Sequence, residues 1–254
     1  MSAGIDDPFV FSTEKRDGVA RDLRLLQGVD QSSTPIILPL WQLMVVFVGL
    51  PAMYLLNSML PWSIGLITAR EHDFFWQFWA SIAALHWSSF ALVCLLLRRA
   101  GRRLSEIGLQ FSPFRIALMV GIPAIVALGL LVLTRGSSPG AGLPLDSQLP
   151  VGMTERLFWI FISFTAGFCE EVVYRGFCIR VLQGRNMRTV LAVAIATLAF
   201  FFVHAPAIVI SDLQVTLTAF LIIYGAGLLF SVLFLWRRSL VPGIFLHTLI
   251  DLAN

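Results

Sequence analysis

Apolar residues run along this chain in long unbroken blocks instead of alternating with polar ones. A membrane-spanning helix needs about 20 mostly apolar residues. Ile36–Leu60, Phe74–Leu97, Ile116–Thr134, Thr189–Ile210 and Val215–Trp236 each meet that requirement without one formally charged residue. Two further blocks are apolar but interrupted. Leu157–Leu182 carries Glu170, Glu171, Arg175 and Arg180, and Leu240–Leu252 is short and carries His247 and Asp251. The pattern predicts five clean spans and two polar ones, an all-α, polytopic transmembrane bundle of about seven membrane helices. At about 1.5 Å per residue the last helix reaches only ~20 Å, less than a bilayer core.

Composition sharpens this reading. Hydrophobic residues make up 57% of the 254 positions and charged residues 13%, against about 45–50% and about 25% in an ordinary soluble domain. Mean hydropathy is +0.83. A water-soluble fold of this size lacks the polar surface to cover itself, which excludes a cytosolic enzyme, a nucleic-acid binder and a disordered chain. The net charge of +3 therefore does not point to nucleic acid, because Lys and Arg in excess mark the cytoplasmic loops of membrane proteins. With the N-terminus inside, fourteen of the 18 Lys and Arg residues fall in inside segments. Only Arg70, Arg135 and Arg156 fall outside, and Arg175 lies within a helix. That bias predicts an N-in, C-out bundle in a lipid bilayer.

Residues 1–35 hold no apolar h-region, so a cleavable signal peptide is not expected. Val19, Leu23 and Leu26 fall at helical spacing, consistent with either an interfacial amphipathic helix or a frayed cytoplasmic tail. Residues 36–254 form the predicted bundle. The breaker-rich loop Arg135–Glu155, with four prolines and glycines between Pro139 and Pro144 alone, divides it. The half beyond this loop holds every ionisable group predicted inside a span except His86. Cys94, Cys169 and Cys178 lie in apolar stretches and read as small buried hydrophobes.

An ionisable group near the bilayer centre costs at least ~2.5–3.5 kcal/mol, so each needs a partner or a purpose. Glu171 and Arg175, four apart on one helix face, read as an ion pair. Glu170 projects about 100° away, with no basic residue four positions on, and reads as an unpaired carboxylate suited to accept a proton. His247 and Asp251 are again four apart, which lets the carboxylate hold the imidazole. His204 sits in Phe200-Phe201-Phe202-Val203-His204. His86, beside Trp87 and Ser88, reads as a helix–helix hydrogen-bonding residue outside the site. Glu170, His204 and His247 relieve one another's desolvation only by converging, and such a cluster can hold water or a metal.

The spacing Glu170-Glu171-x-x-x-Arg175, then Phe200-x-x-x-His204, then His247-x-x-x-Asp251, resembles the CPBP family of intramembrane proteases. That family includes CaaX prenyl endopeptidases of the Rce type and the bacteriocin-processing or immunity proteins of the Abi group. The resemblance covers roughly residues 155–254, the expected protease core. It implies that Glu170 activates water with help from His204, that Glu171 and Arg175 support them, and that His247 with residue 251 stabilises the oxyanion. Asp251 stands where the commoner pattern has Asn. An ionised Asp cannot donate to an oxyanion, so Asp251 is protonated, orients His247, or ligates a metal. Zinc is a possible cofactor, with Glu170, His204, His247 and Asp251 as candidate ligands, although no His-Glu-x-x-His is present.

The function expected is thus an intramembrane endopeptidase, glutamic or metallo, acting on a membrane-associated peptide or protein substrate, prenylated or leader-bearing. The short loops and compact length suggest a prokaryotic plasma membrane. Two alternatives stand beside it. One is an inactive scaffold or bacteriocin-immunity protein of the same fold. The other is a proton-coupled transporter, which would favour internal repeats that the chain lacks.

Overall fold

The computed structural model describes residues 35–63, 75–110, 150–209 and 213–253, with Ala124 and Gly129 between them. The expectations for residues 1–34, for the span Ile116–Thr134 and for most of the loop after it lie outside these residues. All regular structure among the described residues is helical. Helices α1 (Leu40–Met44) and α2 (Leu50–Ser63) are joined by a π turn, Val45–Gly49. Pro51 accounts for that turn: it has no N–H to offer Phe47, and its ring crowds the carbonyl four residues back. Next come α3 (Phe75–Arg99) and a short 3-10 turn, Leu104–Ile107. Then α4 (Met153–Glu170) continues through a π-helical segment, Glu171–Cys178, into α5 (Ile179–Gly184). Helices α6 (Thr189–Val209), α7 (Leu213–Arg237) and α8 (Val241–Ala253) complete the order.

Among the described residues, four stretches are long and apolar enough to cross a bilayer: Leu40–Asn57, Phe75–Arg99, Met153–Gly184 and Phe220–Arg237. Thr189–His204 and Val241–Leu252 are shorter apolar helices. The protein is a multi-pass helical membrane protein, and its helices expose apolar side chains such as Trp41, Leu56, Leu221 and Trp236 outward. A soluble helix would bury that face; here lipid is the solvent.

The inner packing places the polar half. Helix α4 lies against α8 on one side and α3 on the other, while α6 packs on α7 and α2. Gly167 makes the first contact possible. A Cβ there would stand 2.5 Å from Thr248 Oγ1 and 2.9 Å from its backbone nitrogen, so only a residue without a side chain lets α4 and α8 approach this closely. The π segment is buried along its whole length, Glu171 to Cys178. Its apolar members Val172, Val173, Phe177 and Cys178 join the main core with Val93, Leu97, Ile107, Phe200 and Leu240. Arginines hold the entry to the bundle: Arg185 donates to the Leu38 carbonyl at 2.8 Å and Arg102 to that of Pro35 at 3.0 Å.

Candidate active site

Glu170 is the last residue of α4 and Glu171 the first of the π segment, so the two carboxylates leave the same helix in different directions. Both are buried, as are Arg175 and His247. Arg175 Nη1 lies 3.0 Å from Glu171 Oε1. That contact is an ion pair, and none of the three guanidinium nitrogens makes a conventional hydrogen bond. The guanidinium is instead sandwiched between aromatic faces, 4.0 Å from the Phe200 ring centroid and 5.2 Å from that of Phe230. Desolvated cation–π contacts of this kind are worth about 2 kcal/mol or more. Phe200 of the second motif is therefore a platform for the arginine of the first. Phe230 on α7 escaped the sequence reading, since nothing marks one phenylalanine among 21.

His247, on α8, stacks on Phe230 with centroids 4.8 Å apart and an interplanar angle of 18°. Its Nδ1 lies 3.2 Å from Glu171 Oε1, the oxygen that Arg175 also faces. With Arg175 beside it Glu171 is the acceptor, so Nδ1 carries the hydrogen and Nε2 is directed elsewhere. Nε2 lies 3.6 Å from Glu170 Oε2 and 3.8 Å from Asp251 Oδ2. Both separations exceed hydrogen-bond length. The structure thus gives the orientation of His247 to Glu171, not to Asp251 four residues on. Gly243 supports the arrangement from the same helix: a Cβ there would fall 2.7 Å from Glu171 Oε2.

His204, on α6, donates Nδ1–H to the carbonyl of Phe200 at 3.0 Å. In the neutral ring its Nε2 is then the lone-pair nitrogen. The residue lies within electrostatic reach of both Glu170 and Asp251. Helices α4, α6 and α8 therefore bring Glu170, His204, His247 and Asp251 into one cluster. Glu170 and His247 are buried, whereas His204 and Asp251 are partly exposed.

One member comes from the front half. His86, on α3, is buried, and its Nε2 lies 2.9 Å from Glu170 Oε1. Its Nδ1 lies 2.8 Å from the carbonyl of Ile82. Glu170 is thus not the unpaired carboxylate that the local sequence suggests, and His86 bonds another helix at the candidate base itself. The signal was present in the desolvation argument. Glu170 has no local cation and His86 is expected to bond another helix, and burial makes such groups seek each other. Glu170 Oε2, in contrast, is buried with no hydrogen-bond partner.

Zinc held by His and carboxylate requires ligand atoms about 2.0–2.2 Å from a shared centre. Among the described residues no set of three His, Cys, Asp or Glu converges as a metal site. The contacts that exist are divided instead, His86 facing one oxygen of Glu170 and His247 turned to Glu171. As placed, the candidate ligands do not fit the ion.

A helical membrane protein with a buried carboxylate ringed by imidazoles from three helices is the class that fold and site define. Residues 152–253 match the protein family described as type II CAAX prenyl endopeptidase, Rce1-like. The resemblance carried by the three motifs is therefore shown over this stretch, which contains every candidate residue except His86. No curated protein and no solved structure matches the chain.

Proposed function

We propose that this protein is an intramembrane endopeptidase of the CAAX type, hydrolysing a peptide bond of a membrane-associated substrate with water activated by Glu170. The observation that carries the reading is Glu170 Oε2, a buried carboxylate oxygen with no hydrogen-bond partner, 3.6 Å from His247 Nε2. Such an oxygen is placed to take a proton from water. The hydroxide so formed attacks the scissile carbonyl, and the tetrahedral oxyanion accepts a hydrogen bond from Nε2–H of His247 in its imidazolium form, Nδ1–H being held by Glu171. Glu170 then returns the proton to the leaving amine, so no net proton is consumed. His204, with Nδ1–H tied to Phe200, offers Nε2 to the second hydrogen of the water. Glu171 and Arg175 hold His247 in register.

In this reading the protease core is residues 155–254 within a bundle spanning 36–254 in a prokaryotic plasma membrane, with residues 1–35 a cytoplasmic tail or an interfacial helix. Non-helical substrate backbone is tolerated at membrane depth where it is buried in protein or lines a water-filled cavity. Prenylated CaaX-ended chains and leader-bearing precursors both suit a site of this kind. The test is cleavage of a farnesylated CaaX-ended peptide and of a membrane-anchored leader peptide by purified protein in liposomes. Glu170→Gln keeps size and hydrogen bonding but removes the base, and should lower the rate by about 10²–10⁴ at normal abundance. Cleavage by Glu170→Gln at the parental rate refutes the assignment.

A further inference from the structure

We propose that His86 is a positioning residue for this hydrolysis: it fixes one oxygen of Glu170 so that the other is presented as the base. The proposal rests on the reading of Glu170 given above. It extends the site to a helix that lies outside the three motifs and outside the stretch 152–253 that the family match covers.

The hydrogen-bond directions constrain the pair closely. The Ile82 carbonyl, 2.8 Å from His86 Nδ1, can only accept, so Nδ1 carries a hydrogen. Nε2 then meets Glu170 Oε1 at 2.9 Å either as the N–H of an imidazolium or as the acceptor of a carboxylic proton. In both forms one proton lies on the line between them and Oε1 is committed to it; with that proton on the imidazole, Glu170 is a carboxylate and Oε2 is free to act as the base. The commitment of Oε1 singles out Oε2, which has no hydrogen-bond partner.

The imidazole is itself held. Its i−4 hydrogen bond fixes one edge, and the Tyr54 ring from α2 meets it edge-on, with centroids 5.2 Å apart at 84°. Both His86 and Tyr54 are buried. A carboxylate pinned at one oxygen by a ring with no rotational freedom keeps a single orientation. Without the pin Glu170 can turn about its last torsion and present either oxygen, or neither, to the water. Misplacement of a reacting group by about 1 Å costs on the order of 10²-fold in rate.

The experiment measures kcat and KM separately on the farnesylated CaaX-ended peptide in liposomes, for the parent, Glu170→Gln, His86→Leu, His86→Asn and His86→Gln, with unfolding in detergent followed for each. Asn places its amide near the Nδ1 position and cannot reach Glu170, whereas the Gln amide can take the Nε2 position and donate to Oε1. His86→Leu and His86→Asn should lose about 10²-fold in kcat with KM near the parental value, and His86→Gln should recover most of that loss. A folded His86→Leu or His86→Asn protein with parental kcat overturns the proposal. So does a loss confined to KM, or a His86→Gln variant no better than His86→Asn. If His86→Leu does not fold, the comparison of Asn with Gln still decides. The series is run on the membrane-anchored leader peptide instead if the parent cuts only that one; an active Glu170→Gln, or a parent that cuts neither peptide, overturns the functional reading and this proposal with it. Failure of the His86 series alone leaves Glu170 as the base.

Discussion

The buried pair of Glu171 and Arg175 should be strongly coupled energetically. Two unit charges 3.0 Å apart attract by roughly 5–6 kcal/mol at an effective dielectric of about 20. That matches in scale the cost of about 3–5 kcal/mol for breaking a buried pair and stranding one charge. The structure ranks the two single variants. In Glu171→Gln the guanidinium keeps the faces of Phe200 and Phe230, so the loss should fall near ~3 kcal/mol. In Arg175→Met the carboxylate keeps only the N–H of His247, and the loss should approach ~5 kcal/mol. The double variant buries no unpaired charge, so its loss should fall short of the sum by at least about 2 kcal/mol. Unfolding in mixed micelles, followed through the seven tryptophans, measures all four proteins. Additivity within about 0.5 kcal/mol would refute the coupling and leave the two residues as neighbours without energetic consequence.

Two further substitutions probe the site. Asp251→Asn should retain cleavage within about tenfold, because no hydrogen bond joins Asp251 to His247 and about 1 kcal/mol is at stake; a loss on the Glu170→Gln scale, accompanied by loss of stoichiometric zinc from the parent, would make Asp251 a metal ligand. Gly243→Ala should destabilise the protein by about 1–3 kcal/mol through overpacking and lower kcat by displacing Glu171 from His247, since the new Cβ would fall 2.7 Å from Glu171 Oε2; parental stability and kcat together would show that α8 shifts freely.

Much of the helical layout was legible because charges and breakers bound the apolar blocks. Phe74–Leu97 became Phe75–Arg99, and Val215–Trp236 became Leu213–Arg237. Leu157–Leu182 became Met153–Gly184 once the π segment is included. The pairing of Glu171 with Arg175 was legible for a local reason, four residues on one helix. What local spacing cannot carry is which helix faces which. His86 and Glu170 are 84 residues apart, and His247 and Glu171 are 76 apart. The i,i+4 rule assigned His247 to Asp251, whereas in the folded chain the facing helix brings Glu171 closer. Phe230 was invisible for a related reason, because a cation–π platform has the same composition as a lipid-facing helix.

The π segment Glu171–Cys178 has a consequence for which deletions the site survives. A π turn bonds i to i+5 where an α turn bonds i to i+4, so it carries a surplus residue. The wider turn absorbs that surplus, so Glu170, on the α-helix before it, and Phe177 and Cys178, buried at its far end, keep nearly the phase they would have on an α-helix one residue shorter. Deleting one residue between Val172 and Tyr174 removes the surplus and lets the segment relax to α geometry with its two ends still aligned. Glu170 then keeps His86 and the core keeps Phe177 and Cys178, while Glu171 and Arg175 pass from four apart to three apart, a spacing at which they still meet. A one-codon deletion here is thus one the scaffold absorbs, and a motif search that demands three residues between Glu171 and Arg175 would discard a protein whose site is intact.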